Sequence, residues 1–202
     1  MSVPARDDRL VALRRQIILD AAQRVFARDG LDGATVRAIA REAGCTTGAI
    51  YPWFEGKEAI YAALLHESLD RLERHLQLEV QSGPPARAAR RAIQAFFGYY
   101  AGRETEFLLG LYLFKAPGPR GLGRGMDEAL NARLQACVDW LGTGLRMAGN
   151  RPEDAIRLEQ ANAFTYLMGL LLLVHTHRLK SLGQQARPLL DRFCDALEQR
   201  PT

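Results

Sequence analysis

The sequence predicts an all-helical (all-α) protein: an N-terminal three-helix helix-turn-helix domain followed by a larger C-terminal helical domain, about nine helices in all. Three observations predict it. Apolar residues recur at i, i+3, i+4 and i+7 along most of the 202 residues. No run of strand length shows apolar–polar alternation bounded by turns. Residues 14–58, RRQIILDAAQRVFARDGLDGATVRAIAREAGCTTGAIYPWFEGKE, set three short amphipathic patterns in a row, divided by glycine-marked turns.

In the first helix Val11, Ile17, Ile18, Ala21, Ala22, Val25 and Phe26 form one apolar face, and Arg28 with Gly30 marks its end. Residues 1–9 read as a flexible arm. In the second, Thr35 is a good N-cap ahead of Val36, Ile39, Ala40 and Ala43, and Gly44 supplies a turn suited to positive φ. Thr46 is the next candidate cap. Pro52 lacks the donor a helix needs and pushes Tyr51 from α geometry, so the third helix is short, from about Thr47 to Ile50 or Tyr51. Ile50 and Phe54 seat it on the other two. Gly48 and Ala49 keep its start small, so that its amides can approach a groove and a phosphate closely.

The fourth helix runs from Lys57 to about Val80, with Ile60, Leu64, Leu65, Leu69, Leu72 and Leu76 on one side. It is on the order of 35 Å long, a connecting rod. Lys57 falls in its first turn, where a cation opposes the helix dipole by roughly 0.3–1 kcal/mol. A phosphate partner reverses that sign; a solvated lysine simply tolerates it. Gln81-Ser82-Gly83-Pro84-Pro85 then breaks the chain. The domains are therefore 10–56 for the helix-turn-helix, 57–80 for the connecting helix and 86–200 for ligand binding and dimerisation. Further helices are expected over about Ala86–Gly102, Glu104–Lys115, Met126–Ala148, Pro152–Leu182 and Ala186–Gln199, with a Gly/Pro-rich loop at 116–125.

The helix-turn-helix segment resembles the DNA-binding domain of the tetracycline-repressor (TetR) family of bacterial transcriptional regulators. The matching residues are Ile18, Ala21-Ala22, Phe26, Gly30, Thr35, Ile39-Ala40, Ala43-Gly44, Thr46, Gly48, Ile50-Tyr51, Phe54 and Lys57-Glu58. Pro52 and Gly56 depart from the family's usual residues. The resemblance implies a homodimer that represses from a palindromic double-stranded DNA operator and leaves when a small ligand binds the larger domain. Thr46 and Thr47 are the candidates for phosphate and base-edge contacts, and Thr35 and Arg37 for backbone contacts from the second helix. Tyr51 resembles the family's phosphate-contacting tyrosine, with a half-core placement as the alternative. Gly48, Ala49, Pro52, Trp53 and Lys57 complete the candidate DNA face, although Trp53 equally suits packing on the fourth helix.

In the family the last two helices pair with their copies as a four-helix bundle. Ala161–Val174 is strongly apolar but spans only 14 residues, short of the roughly 20 that a membrane helix needs. The patterns resemble the bundle arrangement, with Leu171, Leu189, Leu190, Phe193 and Leu197 as its candidate dimer residues. Phe96, Tyr100, Phe107, Tyr112, Trp140, Phe164, Met168 and His175 are the candidate wall of a pocket for a lipophilic or aromatic molecule with few polar groups. A constitutive DNA-binding protein without an effector is the alternative.

Net charge is +4, modest for a DNA binder, so binding rests on local placement of Arg6, Arg9, Arg14, Arg15, Arg37, Arg41 and Lys57. Cys45, Cys137 and Cys194 are far apart and show no metal spacing, which suits a reducing cytoplasm. No nucleophile triad, phosphate loop with a GK[ST] ending or metalloprotease motif is present, so the reading is a cytoplasmic non-enzyme with no metal and no cofactor.

Overall fold

The structure, a computed structural model, describes residues 4–111, 121–149 and 151–199. Among them the chain forms α1 (Pro4–Gly33), α2 (Val36–Glu42), α3 (Lys57–Gln81), α4 (Ala88–Ala101), α5 (Glu104–Gly110), α6 (Arg124–Ala148), α7 (Glu153–His175), α8 (Arg178–Ser181) and α9 (Ala186–Gln199). Two 3-10 turns, Thr47–Ala49 and Pro85–Arg87, complete the order. The chain divides into two compact units, residues 1–68 with 108–130 and residues 69–107 with 131–202.

The first unit is built on α1. Ile18, Leu19, Ala21, Ala22, Val25 and Phe26 are buried along one face, as are Ile39 and Ala40 of α2, which packs on α1, and Ile60, Tyr61 and Leu65 of α3, where Tyr61 meets Phe26. Helix α1 begins at Pro4 rather than after a nine-residue arm. Proline fits a first helical position because its φ is already set and the donor it lacks has no helical partner there. Gly30 interrupts the helix at φ 68°, ψ 176°. An ion pair between Arg15 and Glu67 ties α1 to α3.

In the second unit Leu72, Leu76 and Val80 of α3, Ala88, Ala92, Ile93 and Phe96 of α4, and Cys137, Leu141 and Leu145 of α6 are all buried. The break at 81–85 is a turn inside this unit. The Arg91 guanidinium holds it by donating to the carbonyls of Glu79, Val80, Gly83 and Pro84. Those include carbonyls that the end of α3 leaves without helical partners. Arg90 of α4 pairs with Asp195 and Glu198 of α9, and Gln94 donates to Asp191 at 3.0 Å.

Helix α7 stops at His175, short of the expected Leu182. The Thr176 hydroxyl bonds the Leu172 carbonyl at 2.6 Å, and His177 then takes a left-handed φ of 57°. That conformation cannot continue a right-handed helix.

Helices α4 and α6 cross closely at Gly144, where a Cβ would lie 2.8 Å from the Ala88 carbonyl oxygen and 3.1 Å from the Ala89 Cα. The obstacles are backbone atoms, which cannot rotate away. Gly144→Ala is therefore expected to destabilise the protein by about 1–2 kcal/mol despite alanine's better helix propensity. Denaturant melts of the two proteins measure it, and an unchanged midpoint contradicts the close crossing.

Candidate nucleic-acid interface

Helix α2 starts at Thr35, whose side-chain oxygen accepts from the Ala38 amide at 3.1 Å. Its end is a paired turn. The Gly44 amide donates to Arg41 at 3.2 Å and the Cys45 amide to Ala40 at 2.9 Å, with Gly44 at φ 67°. This is the left-handed glycine closure that turns a chain sharply while satisfying the last carbonyls. Thr46 follows in extended geometry at the head of the next turn, without a side-chain cap bond.

The third helix is a single 3-10 turn, Thr47–Ala49, closed by Ala49 N–H to Thr46 O and Ile50 N–H to Thr47 O, both 3.0 Å. Pro52 ends it, as its missing donor requires. Ile50 is fully buried and Phe54 nearly so, and they fix the turn from below. Thr35, Arg37, Thr46, Gly48, Ala49, Tyr51 and Pro52 are exposed, while Thr47 is half-buried. Tyr51 is 57% exposed, so the half-core placement fails. Trp53 is half-buried and lines a groove of about 410 Å³ with Ile17, Cys45, Ala49 and Pro52. Arg37 and Arg41 are exposed and have no ion-pair partner among the described residues.

Two cations behave otherwise. Arg15 is committed to Glu67 and lies 5.5 Å above the Phe54 ring. Lys57 donates to the carbonyls of Leu31 at 2.8 Å, Asp32 at 3.2 Å and Ala34 at 3.1 Å. All three ammonium hydrogens have partners inside the unit, a clamp that stands as the alternative to the expected phosphate contact. The same bonds offset the unfavourable dipole of α3, because the ammonium sits against carbonyls around the end of α1. Periodicity carries no signal for this, since the acceptors lie 23–26 positions earlier.

In the second unit five of the eight expected pocket residues form one chain of rings. Phe164 meets Phe96 at 6.0 Å, Phe96 meets Tyr100 at 5.6 Å, Tyr100 meets Phe107 at 5.8 Å, and Phe107 meets His175 at 5.1 Å. The His175 Nε2 also bonds the Tyr100 carbonyl at 3.0 Å. Trp140 and Met168 are half-buried, and Tyr112 lies outside the described residues. A groove of about 560 Å³ between α6 and α7 is lined by Gln135, Val138, Arg157, Gln160 and Phe164 among others. Of the expected pocket residues that are described, only Phe164 lines it.

The expected dimer residues divide. Leu171, Leu190 and Leu197 are at most 2% exposed in the single chain, so they are core and cannot meet a partner. Leu189 and Phe193 are half-buried, and Phe193 stacks on Tyr166 with centroids 4.1 Å apart. The exposed apolar face lies on α7 instead. Leu158 and Leu172 are 62% and 42% exposed. With Ala161, Thr165 and Gly169, also exposed, they form a stripe at helical spacing.

Burial pushes the thiols of Cys137 and Cys194 up, to about 12 and about 11, so both stay protonated and inert at neutral pH. No group of three or more His, Cys, Asp or Glu residues among those described could hold a metal ion. No helix among them is long and apolar enough to cross a membrane.

Residues 18–64 match the family model for bacterial regulatory proteins of the tetR family. The transcriptional regulator SrpR of Pseudomonas putida is 46% identical over 177 residues, 86% of this chain and 78% of SrpR. The chain belongs to the TetR family. The HTH-type transcriptional repressor Rv1474c of Mycobacterium tuberculosis is also 46% identical, but over 66 residues, so the match spans only 35% of that protein's length. The likeness in fold extends beyond the segment that the family model matches. FadR from Bacillus subtilis, crystallised with stearoyl-CoA, superposes with a TM-score of 0.71 at 18% identity, covering 93% of this chain and 99% of that one.

Proposed function

We propose that this TetR-family regulator is a repressor that binds a palindromic operator as a homodimer and is released by a small lipophilic or aromatic effector. The observation that carries the DNA-binding part is the recognition turn. Gly48 and Ala49 of the Thr47–Ala49 turn are exposed, as are Arg37, Arg41 and Tyr51, while buried Ile50 and Phe54 hold the turn from beneath. Small residues at its start let backbone amides reach a groove, and the unpaired arginines supply phosphate contacts.

The ring chain from Phe164 to His175 supports an effector rather than constitutive binding. Its polar tips are few, which suits a neutral or singly polar molecule. The Bacillus subtilis protein of this fold holds stearoyl-CoA, whose acyl chain is long and apolar although its CoA head is anionic. Dimerisation is supported by the exposed stripe of α7, since a half-site reader gains palindrome specificity by pairing. Release follows if the effector favours a state in which α3 carries the two recognition turns away from one DNA turn, about 34–36 Å. The protein acts in the cytoplasm, where its operator is.

Selection from random duplexes tests the reading. The wild type is expected to enrich an inverted repeat, and Thr47→Ala to change the preferred base at one position in each half-site by about 1 kcal/mol or more of discrimination. A pool without sequence preference rejects DNA reading by this turn.

A further inference from the structure

Tyr61, on the first part of α3, is 2% exposed and engaged at both ends. Its ring meets Phe26 of α1 edge-on, with centroids 4.9 Å apart at 74°. Its hydroxyl donates to the Leu109 carbonyl oxygen at 2.6 Å in a buried bond. Phe26 lies in the same buried layer that supports α2, with Val25 and Ala22 beside it on α1. Leu109 lies near the end of α5.

Helix α5 is seven residues long and contributes to both compact units. Phe107 belongs to the ring chain of the second unit, against Tyr100 and His175. Two residues later, Leu109 belongs to the first unit and accepts from Tyr61. A helix this short moves as one piece, so displacing the Phe107 ring displaces the Leu109 carbonyl. A buried carbonyl that loses its donor is strongly disfavoured, and so is a buried hydroxyl that loses its acceptor. The tyrosine therefore follows α5, and its ring presses that movement onto Phe26.

We propose that Tyr61 is the positioning residue through which the aromatic cluster controls the DNA-reading face, its hydroxyl tied to α5 and its ring to the helix-turn-helix core. This rests on the reading of the protein as an effector-responsive DNA binder and names the link that makes it responsive.

A double-mutant cycle tests the link without knowing the effector. Four full-length proteins are compared: wild type, Tyr61→Phe, Phe107→Leu and the double variant. Phenylalanine keeps the ring against Phe26 and removes only the hydroxyl. Affinity is measured on the duplex recovered by selection, with thermal melts as a folding check. Phe107→Leu is expected to shift affinity by about fivefold or more in the wild-type background and by less than about twofold when Tyr61 is Phe. A purely structural tyrosine gives equal shifts in both backgrounds, which overturns the proposal, as does a folded Phe107→Leu protein with unchanged affinity. Should Phe107→Leu melt, His175→Ala perturbs the same cluster. Amide hydrogen exchange across α1 and α2 reads the coupling without DNA. The cluster substitution accelerates exchange there only when the Tyr61 hydroxyl is present, and identical exchange in both backgrounds rejects the link even if no operator is found.

Discussion

With the proposed pairing through α7, placing glutamate at both Leu158 and Leu172 is expected to convert the protein into a folded monomer that binds its operator at least about a hundredfold more weakly. Both side chains are exposed in the single chain, at 62% and 42%, so protomer folding does not depend on them. In a two-fold pair each substitution occurs twice across the same seam. Carboxylates buried there without partners are strongly unfavourable, whereas in the monomer they are solvated. The DNA effect follows from losing the second half-site, whose binding is intramolecular in the dimer and is worth about 10²–10⁴ in avidity. Phe193→Asp is a poorer probe, because it also removes the stack on Tyr166 inside the protomer. Sedimentation at micromolar concentration, together with operator titration, gives the answer. A double variant that stays dimeric places the interface elsewhere.

That choice of residues marks where sequence reading stopped. Helix α7 is apolar over much of its girth, so periodicity announces burial without saying which side meets the protomer core and which is left over. Leu171 and Leu172 are neighbours in a uniform run, yet one is 0% and the other 42% exposed. Helix α9 misled for the opposite reason. Its stripe of Leu190 and Leu197 is clear, but a clear stripe on a helix is first of all the stripe that packs on its own domain. The helix-turn-helix segment was far more legible, because its signals are local. Gly44 takes positive φ, Thr35 caps the amide three residues on, and Pro52 removes a donor, whatever surrounds them. The ring chain was legible only as aromatic density; that Phe96, Tyr100, Phe107, Phe164 and His175 touch in order depends on how α4, α5 and α7 pack. The end of α7 was missed because His177 takes a conformation that glycine usually signals.

The partners of Lys57 are distant in sequence, and this residue yields the sharpest remaining prediction. Lys57→Met keeps the apolar stem and removes every donor. The carbonyls of Leu31, Asp32 and Ala34 then lose the ammonium that joins them, and those of Leu31 and Ala34 are bonded in part-buried surroundings. Charge-assisted bonds of this kind are worth about 1.5–3 kcal/mol, and the converging set places the expected loss near the upper end. Lysine suits the task because its ammonium is a compact charge with three rotatable donors. Arginine presents a planar fork that cannot converge on three carbonyls in the same way, so Lys57→Arg is expected to recover only part of the loss. A phosphate-binding lysine predicts something different: stability unchanged, and the slope of log affinity against log salt reduced by about one unit. For the clamp, the melting temperature falls by about 5 °C or more, and the variant, measured below its melting range, keeps the wild-type salt slope. A stable Lys57→Met protein with a flattened salt dependence restores the phosphate contact and removes the clamp.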